Sequence, residues 1–245
     1  MLLTIFGNGV MASAMISGLL KQGFEIEVFG RDEKKLQDLK ERYPKIKIDT
    51  YEKGVDISGK NVILCIKPYA LEIVAKQLKN KASTLFSVLA GTTVEQLKTN
   101  IQSVYYIRAM PNIAANFNKS MTTLTGDKEA KEKASIIFGA IGKTLWLGSE
   151  KELDTATILA GSAPAFLALV AESLIDGGVK EGLKRVDAEF LARGLFEGFS
   201  ELLNNYQHPA LIKDAVMSPN GVTAKGYAVL EDYKVRSAFI KTYKS

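Results

Sequence analysis

Apolar and polar positions change period along this chain, and the change divides it in two. Before residue 150, short apolar runs alternate with amphipathic stretches. Runs at 2–6, 25–29, 45–48, 61–66, 84–89, 104–110, 120–125 and 144–147 read as strands. A helix is expected to open near residue 10, and others to cover 32–42, 68–78, 93–97 and 127–141. The alternation predicts an α/β domain with a parallel, doubly wound sheet and helices on both faces. From residue 150 the strand signal stops, and 153–160, 164–179, 188–206, 209–217 and 223–231 read as helices. Small residues such as Ala165, Ala168, Ala171, Gly177 and Gly178 stud them. Residues 1–149 are thus expected to form the sheet domain and 150–245 an all-helical one. Helical faces this apolar, in so short a unit, point to burial against another subunit or against the first domain.

The first apolar run ends in Phe6-Gly7-Asn8-Gly9-Val10-Met11-Ala12. Gly-x-Gly-x-x-Ala between a strand and a helix is a dinucleotide-binding pattern. Gly7 permits the tight turn, Gly9 admits a pyrophosphate, and Ala12 keeps the helix close to the sheet. The unpaired N–H groups at the helix start then face the phosphates. The expected fold is therefore α/β: an N-terminal Rossmann-like doubly wound sheet plus a C-terminal all-helical dimerisation domain. After the second strand, Arg31 either suits a 2′-phosphate, as the candidate selector for NADPH with NADH possible, or stands in solvent without a ligand, while Asp32 sits where a helix N-cap belongs. Ligands of such sheets bind beyond the carboxyl ends of the strands. Four stretches converge there: Gly7-Asn8-Gly9, Ile66-Lys67-Pro68, Leu89-Ala90-Gly91 and Arg108-Ala109-Met110-Pro111-Asn112. Lys67 either meets phosphate or ribose oxygens or reaches solvent; Asn112 either binds ligand or shapes the turn after Pro111.

Composition narrows the classes. Of 245 residues 47% are hydrophobic and 24% charged, ordinary for a globular protein. The net charge of +5 is spread rather than clustered, so no nucleic acid is expected, and an anionic small ligand suffices. A single cysteine, Cys65, and a single histidine, His208, offer no metal cluster, and Cys65 reads as a small buried hydrophobe. His208 precedes Pro209 at a helix start and is given no catalytic role. No secretory leader and no membrane span are expected, and the protein is read as cytoplasmic.

Motifs in the right order over nearly the whole chain resemble the pyrroline-5-carboxylate reductases: "GNGVMASAM", "CIKP", "AGTTVEQL", "RAMPN", "GSAPAF", "HPALIKDAV" and "SPNGVTAKGYAVLE". The resemblance implies a homo-oligomer built on a dimer of interlocked helical domains. It implies hydride transfer to the imine of 1-pyrroline-5-carboxylate, giving proline. Cofactor contacts are implied for Phe6, Gly7, Asn8, Gly9, Val10, Met11, Arg31, Cys65, Ile66, Lys67, Pro68, Ala90 and Asn112. The implied substrate loop is 218–223: Ser218 and Thr223 carry the catalytic roles, Gly221, Val222 and Thr223 hold substrate, and Glu150 falls near a position that touches the ring. This chain has Asn220 and Ala163 where the family usually has glycine, and Ile113-Ala114 where it often has Thr-Pro. Asparagine tolerates positive φ and alanine does so less well. Two other readings stay open on the residues: another NAD(P)H-dependent imine or hydroxy-acid reductase, and a non-catalytic nucleotide sensor.

Overall fold

The computed structural model describes residues 1–206 and 208–244, and the chain divides into two compact units, Met1–Ser162 and Ala163–Ser245. The strands of the first unit are β1 (Leu2–Phe6), β2 (Glu25–Gly30), β3 (Lys47–Thr50), β4 (Val55–Asp56), β5 (Asn61–Leu64), β6 (Leu78–Lys79), β7 (Ala82–Ser87), β8 (Ser103–Met110), β9 (Ser120–Gly126) and β10 (Gly142–Trp146). Its helices are α1 (Val10–Lys21), α2 (Glu33–Arg42), α3 (Leu71–Ala75), α4 (Val94–Asn100), α5 (Lys131–Gly139) and α6 (Glu150–Thr157). Eight strands form one sheet in the order β10-β9-β8-β7-β5-β1-β2-β3, while β4 and β6 pair separately.

Neighbouring residues of a strand feed opposite cores, which is why the central strands carry apolar residues on both faces. Ile63, Phe86 and Ile107 join the cluster under α1, α2 and α5. Their neighbours Val62, Leu64, Leu85 and Tyr106 join the cluster under α3 and α4. The winding reverses between β1 and β5, and that reversal opens the crevice at the strand ends.

The sheet is mixed rather than wholly parallel. β9 runs antiparallel to β8, and β10 follows β9 in parallel. The cause is the β8–β9 connection, residues 111–119, which holds only a 3-10 turn at Ile113–Phe117. A parallel crossover needs about a dozen residues. The expected helix over 68–78 is shorter: Pro68 leads a 3-10 turn into α3, and Leu78–Lys79 leaves to pair with β4. Asp32 caps α2 as expected, accepting from the Lys35 N–H at 3.1 Å. Trp146 packs against the core with Lys131 over its ring.

The first unit extends to Ser162, past the expected boundary at 149, because α6 is tied to the sheet by side chains described below. A π-helical turn, Ile158–Ser162, follows α6. In the second unit lie α7 (Ala163–Lys180), α8 (Arg185–Asn205), α9 (Pro209–Val216), α10 (Val222–Asp232) and α11 (Val235–Lys241). Among its described hydrophobic residues only Ala188, Ala192 and Ile212 are buried, while Leu169, Val186 and Phe190 stand in solvent. Burial so slight does not offset the chain entropy of ordering the unit.

The helical run Glu150–Lys180 is 31 residues long and, by length and composition, apolar enough to cross a membrane, with a mean hydropathy of 1.8 in its most apolar window. This corrects the expectation that no such segment exists. Residues 155–171 carry no charge, and their Thr, Gly, Ser and Pro do not interrupt a helix long enough to qualify.

Gly18 shows how closely α1 is seated. A β-carbon there would lie 2.5 Å from the Ala115 carbonyl oxygen and 2.9 Å from Ile141 Cγ2. Asn118 fixes the contact, donating to the Gly18 carbonyl at 3.0 Å and the Ala140 carbonyl at 2.6 Å. Gly→Ala inside a helix ordinarily stabilises by about 1 kcal/mol. Here overpacking wins, and Gly18→Ala is expected to destabilise by about 1–3 kcal/mol in urea unfolding; a gain in stability would contradict the packing.

Candidate active site

The crevice begins where β1 meets β5. Gly7 has φ +123°, and a β-carbon on it would overlap the Cys65 carbonyl oxygen. Gly7 N–H donates to the Phe29 carbonyl and Cys65 N–H to the Phe6 carbonyl, both at 2.8 Å. The turn is thereby stitched to β2 on one side and β5 on the other. The Phe6 side chain is buried and stacked on Phe29, so only its backbone faces the crevice. Met11 also packs partly on the core.

Gly9 precedes α1, with open space where its β-carbon would be. No side chain caps α1 and its first turn carries no acid. The first helical bond of α1 runs from Ser13 N–H to the Gly9 carbonyl at 2.9 Å. Val10, Met11 and Ala12 therefore present N–H groups without helical partners. An uncapped, acid-free helix start beside an open glycine fits a pyrophosphate. Asn8 turns instead to the β2 side, its amide donating to the Asp32 carbonyl at 3.2 Å. Arg31, in the same loop, is exposed, and no described side chain pairs with it.

Cys65 follows β5 directly and is half-buried rather than fully buried as expected, packing partly on the core; desolvation of its thiol pushes it from 9.0 up to about 12, so the neutral form prevails. Ile66 packs partly on the core, whereas Lys67 and Pro68 are exposed. Ala90, beyond β7, is exposed too. Asn112 is buried, and its side chain is already committed. Its Oδ1 accepts from Ala114 N–H at 3.0 Å and its Nδ2 donates to the Ala160 carbonyl at 2.8 Å. It shapes the turn after Pro111 and holds the π-helical turn.

Arg108, which opens the stretch Arg108-Ala109-Met110-Pro111-Asn112, has a structural role that no local pattern assigns. It lies on β8 with 1% of its side chain exposed. Its Nη1 donates to Glu150 Oε1 at 2.9 Å and its Nη2 to Asp154 Oδ1 at 2.7 Å, while Nε is buried without a partner. Glu150 and Asp154 are four apart on α6 and so share a face. Glu150 Oε1 also accepts from Val94 N–H at 2.9 Å. The signal available in sequence was a lone charge in the strand Ser103–Met110, since a buried charge needs a partner.

In the second unit, Ser218 carries a tight turn: its carbonyl accepts from Gly221 N–H at 3.0 Å. Asn220 takes φ +56°, the positive value expected to be tolerable there. Ala163 is helical and has no positive φ, so replacing glycine there carries no backbone strain. α10 starts at Val222, which is 89% exposed. Like α1 it follows a glycine, has no side-chain cap and no acid in its first turn. Its first helical bond runs from Lys225 N–H to the Gly221 carbonyl at 3.2 Å. His208 caps α9, its Nδ1 accepting from Ala210 N–H at 3.1 Å.

A mixed Rossmann-type sheet with an open phosphate turn, followed by a sparsely buried helical unit, defines a nicotinamide-dependent oxidoreductase. Residues 2–91 match the family described as NADP oxidoreductase coenzyme F420-dependent, and residues 150–245 match pyrroline-5-carboxylate reductase dimerisation. A pyrroline-5-carboxylate reductase of Helicobacter pylori (strain J99) is 37% identical over 98% of this chain and 95% of its own. The crystal structure of 1-pyrroline-5-carboxylate reductase from Streptococcus pyogenes superposes with a TM-score of 0.86 at 32% identity, covering 100% of this chain and 97% of that one. The Plasmodium falciparum pyrroline carboxylate reductase, solved with NADP bound, shares the fold at a TM-score of 0.83 and 23% identity, covering 100% and 96% of the two chains. The chain belongs to the pyrroline-5-carboxylate reductase family.

The two glycines of the first turn separate by measurement. Gly7→Ala is expected to cost about 2–5 kcal/mol in urea unfolding, from positive φ and overlap together. Gly9→Ala should stay within about 0.5 kcal/mol of wild type; equal losses would contradict the geometry. Cys65 makes a pH prediction. Its folded pKa is raised, so stability should fall as pH rises from 9.0 towards about 12. Below that window the thiol stays neutral, so iodoacetamide should label the half-buried Cys65 of the native protein far more slowly than an ordinary exposed thiol. Labelling at the rate of a free thiol at neutral pH would contradict the raised pKa.

Proposed function

We propose that the chain reduces 1-pyrroline-5-carboxylate to L-proline with NADPH, as the last step of proline biosynthesis. It acts in the cytoplasm as a homo-oligomer built on a dimer, whose second copy covers the apolar faces of α7 and α8. The observation that carries this reading is the pair of glycine-led, uncapped helix starts, α1 and α10. They provide two anion sites, one for the cofactor's pyrophosphate and one for the carboxylate of the acid to be reduced.

Phe6, Gly7, Asn8 and Gly9 form the cofactor turn, and the N–H groups of Val10 and Met11 hold the pyrophosphate. Arg31, free and at the end of β2, takes the 2′-phosphate and sets the preference for NADPH over NADH. The order of strand ends runs from β2 through β1 and β5 to β7. Cys65, Ile66, Lys67, Pro68 and Ala90 therefore line the far half of the cofactor, with Lys67 meeting ribose or phosphate oxygens. Asn112 acts by holding its turn. When bound, the reduced nicotinamide supplies the hydride for the imine carbon.

On the acceptor side, the N–H groups of Val222 and Thr223 hold the carboxylate, and Gly221 leaves room for the Ser218 hydroxyl over the turn. The Thr223 hydroxyl orients the ring nitrogen. A protonated cyclic imine is already electrophilic, so the protein needs no strong acid, and catalysis rests on alignment.

The test follows loss of the reduced cofactor's near-ultraviolet absorbance with the pyrroline, with a 2-keto acid and with neither. Turnover with the pyrroline alone is expected; turnover confined to the keto acid would sink the proposal. Thr223→Ala should lower kcat/KM by about ten- to a hundredfold through lost alignment, and unchanged kinetics would remove Thr223 from the mechanism. Arg31→Ala should shift the ratio of KM values for NADPH and NADH towards NADH. An unchanged ratio would show that Arg31 does not select.

A further inference from the structure

We infer that Glu150 is a positioning residue for the cofactor rather than a ligand of the substrate. It acts by fixing the loop 88–93 through the start of α4. The inference rests on the proposed nicotinamide cofactor and concerns how its far half is held.

The loop between β7 and α4 carries Ala90 and Gly91 into solvent at the strand ends. Its departure, just past β7, is fixed against β5, where Val88 N–H donates to the Leu64 carbonyl at 3.1 Å. Its return is fixed at Thr93 and Val94. Thr93 and Gln96 close a capping box, which settles the direction of α4 but ties it to nothing outside itself. Leu89, Val94 and Leu97 pack on the apolar cluster beneath α4, and the polar tie of the helix start to the rest of the fold is Val94 N–H donating to Glu150 Oε1 at 2.9 Å.

Glu150 is in turn held by the sheet. Arg108 stands beside Ser87, the last residue of β7, in the register of β7 and β8. Its buried guanidinium is forked between Glu150 and Asp154, so the carboxylate has little freedom to move. The side chain of Glu150 is 35% exposed, and the Oε1 that carries both bonds is a junction between β8, α6 and α4. A ligand drawing this carboxylate away would leave the Arg108 Nη1 and the Val94 N–H without their acceptor, at the cost of unpairing a buried charge. The arrangement suits a fixed strut: the sheet sets Arg108, Arg108 sets Glu150, and Glu150 sets where the Ala90–Gly91 backbone lies against the cofactor.

Position 94 offers a clean probe. Val94 is the first residue of α4, where proline is tolerated, and Thr93 before it is already extended at φ −78° and ψ 161°, as a residue before proline must be. Val94→Pro therefore deletes one N–H while leaving Glu150, Arg108 and the capping box in place. Dissociation constants for NADPH are read by fluorescence titration of the full chain, without substrate. KM for the pyrroline is read separately at saturating cofactor.

Val94→Pro and Glu150→Ala are expected to raise the NADPH dissociation constant about three- to tenfold, the loss of one charge-assisted bond. The pyrroline KM should stay within about twofold. Glu150→Gln, whose amide oxygen still accepts from Val94, should recover most of the cofactor affinity. Wild-type cofactor affinity in Val94→Pro would overturn the inference, as would a rise in pyrroline KM in Glu150→Ala at unchanged cofactor affinity. Should Glu150→Ala fail to fold, Val94→Pro decides alone. Failure of wild type to reduce the pyrroline would refute the proposed reaction, while the cofactor titrations would still judge the strut.

Discussion

The structure depends on a steric constraint: the backbone of Gly7 lies against the carbonyl of Cys65 with no room for a side chain between them. That contact brings the ends of β1 and β5 together at the place where the sheet reverses its winding. The crevice and the direction of α1 follow from it. Because the chain leaves β1 through this turn, α1 starts over the strand ends with three N–H groups and no cap. A side chain on Gly7 would push the turn off β5 and close the crevice; one on Gly9 would only intrude on what binds there.

The second organising feature is electrostatic. A guanidinium inside β8 is costly unless its donors are met, and two of its nitrogens are met by carboxylates one turn apart on α6. The pairing explains why α6 belongs to the sheet unit although the helical character of the chain begins with it. Asn112 adds a second tie at the end of β8, to the carbonyl of Ala160. Strand β8 thus holds the helical run at two levels, through Arg108 on α6 and through Asn112 on the π-helical turn. The second unit is organised differently, with exposed Leu, Val and Phe along α7 and α8 and little core of its own.

What the sequence disclosed and withheld follows the range of the forces involved. The turn 6–12, the Asp32 cap and the tolerance of Asn220 for positive φ are local, written in two to four neighbouring residues. The resemblance over the whole chain added 218–223 as the expected substrate loop, which no local pattern assigns. Direction was hidden: apolar alternation does not say which way β9 runs, and only the brevity of residues 111–119 did. The strands β4 and β6, two residues each, have no period to read. The Arg108–Glu150 pair spans 42 positions, beyond any pattern of spacing, so no sequence pattern shows that the Glu150 carboxylate meets Arg108.

The central claim is that this chain delivers a hydride from the nicotinamide to the imine carbon of the pyrroline. The most direct measurement supplies NADPH carrying deuterium at both positions of the transferring ring carbon and analyses the product by mass spectrometry and NMR. L-proline bearing one deuterium at the carbon that was the imine carbon is expected. Proline without deuterium, or label recovered only in another product, would contradict this hydride transfer.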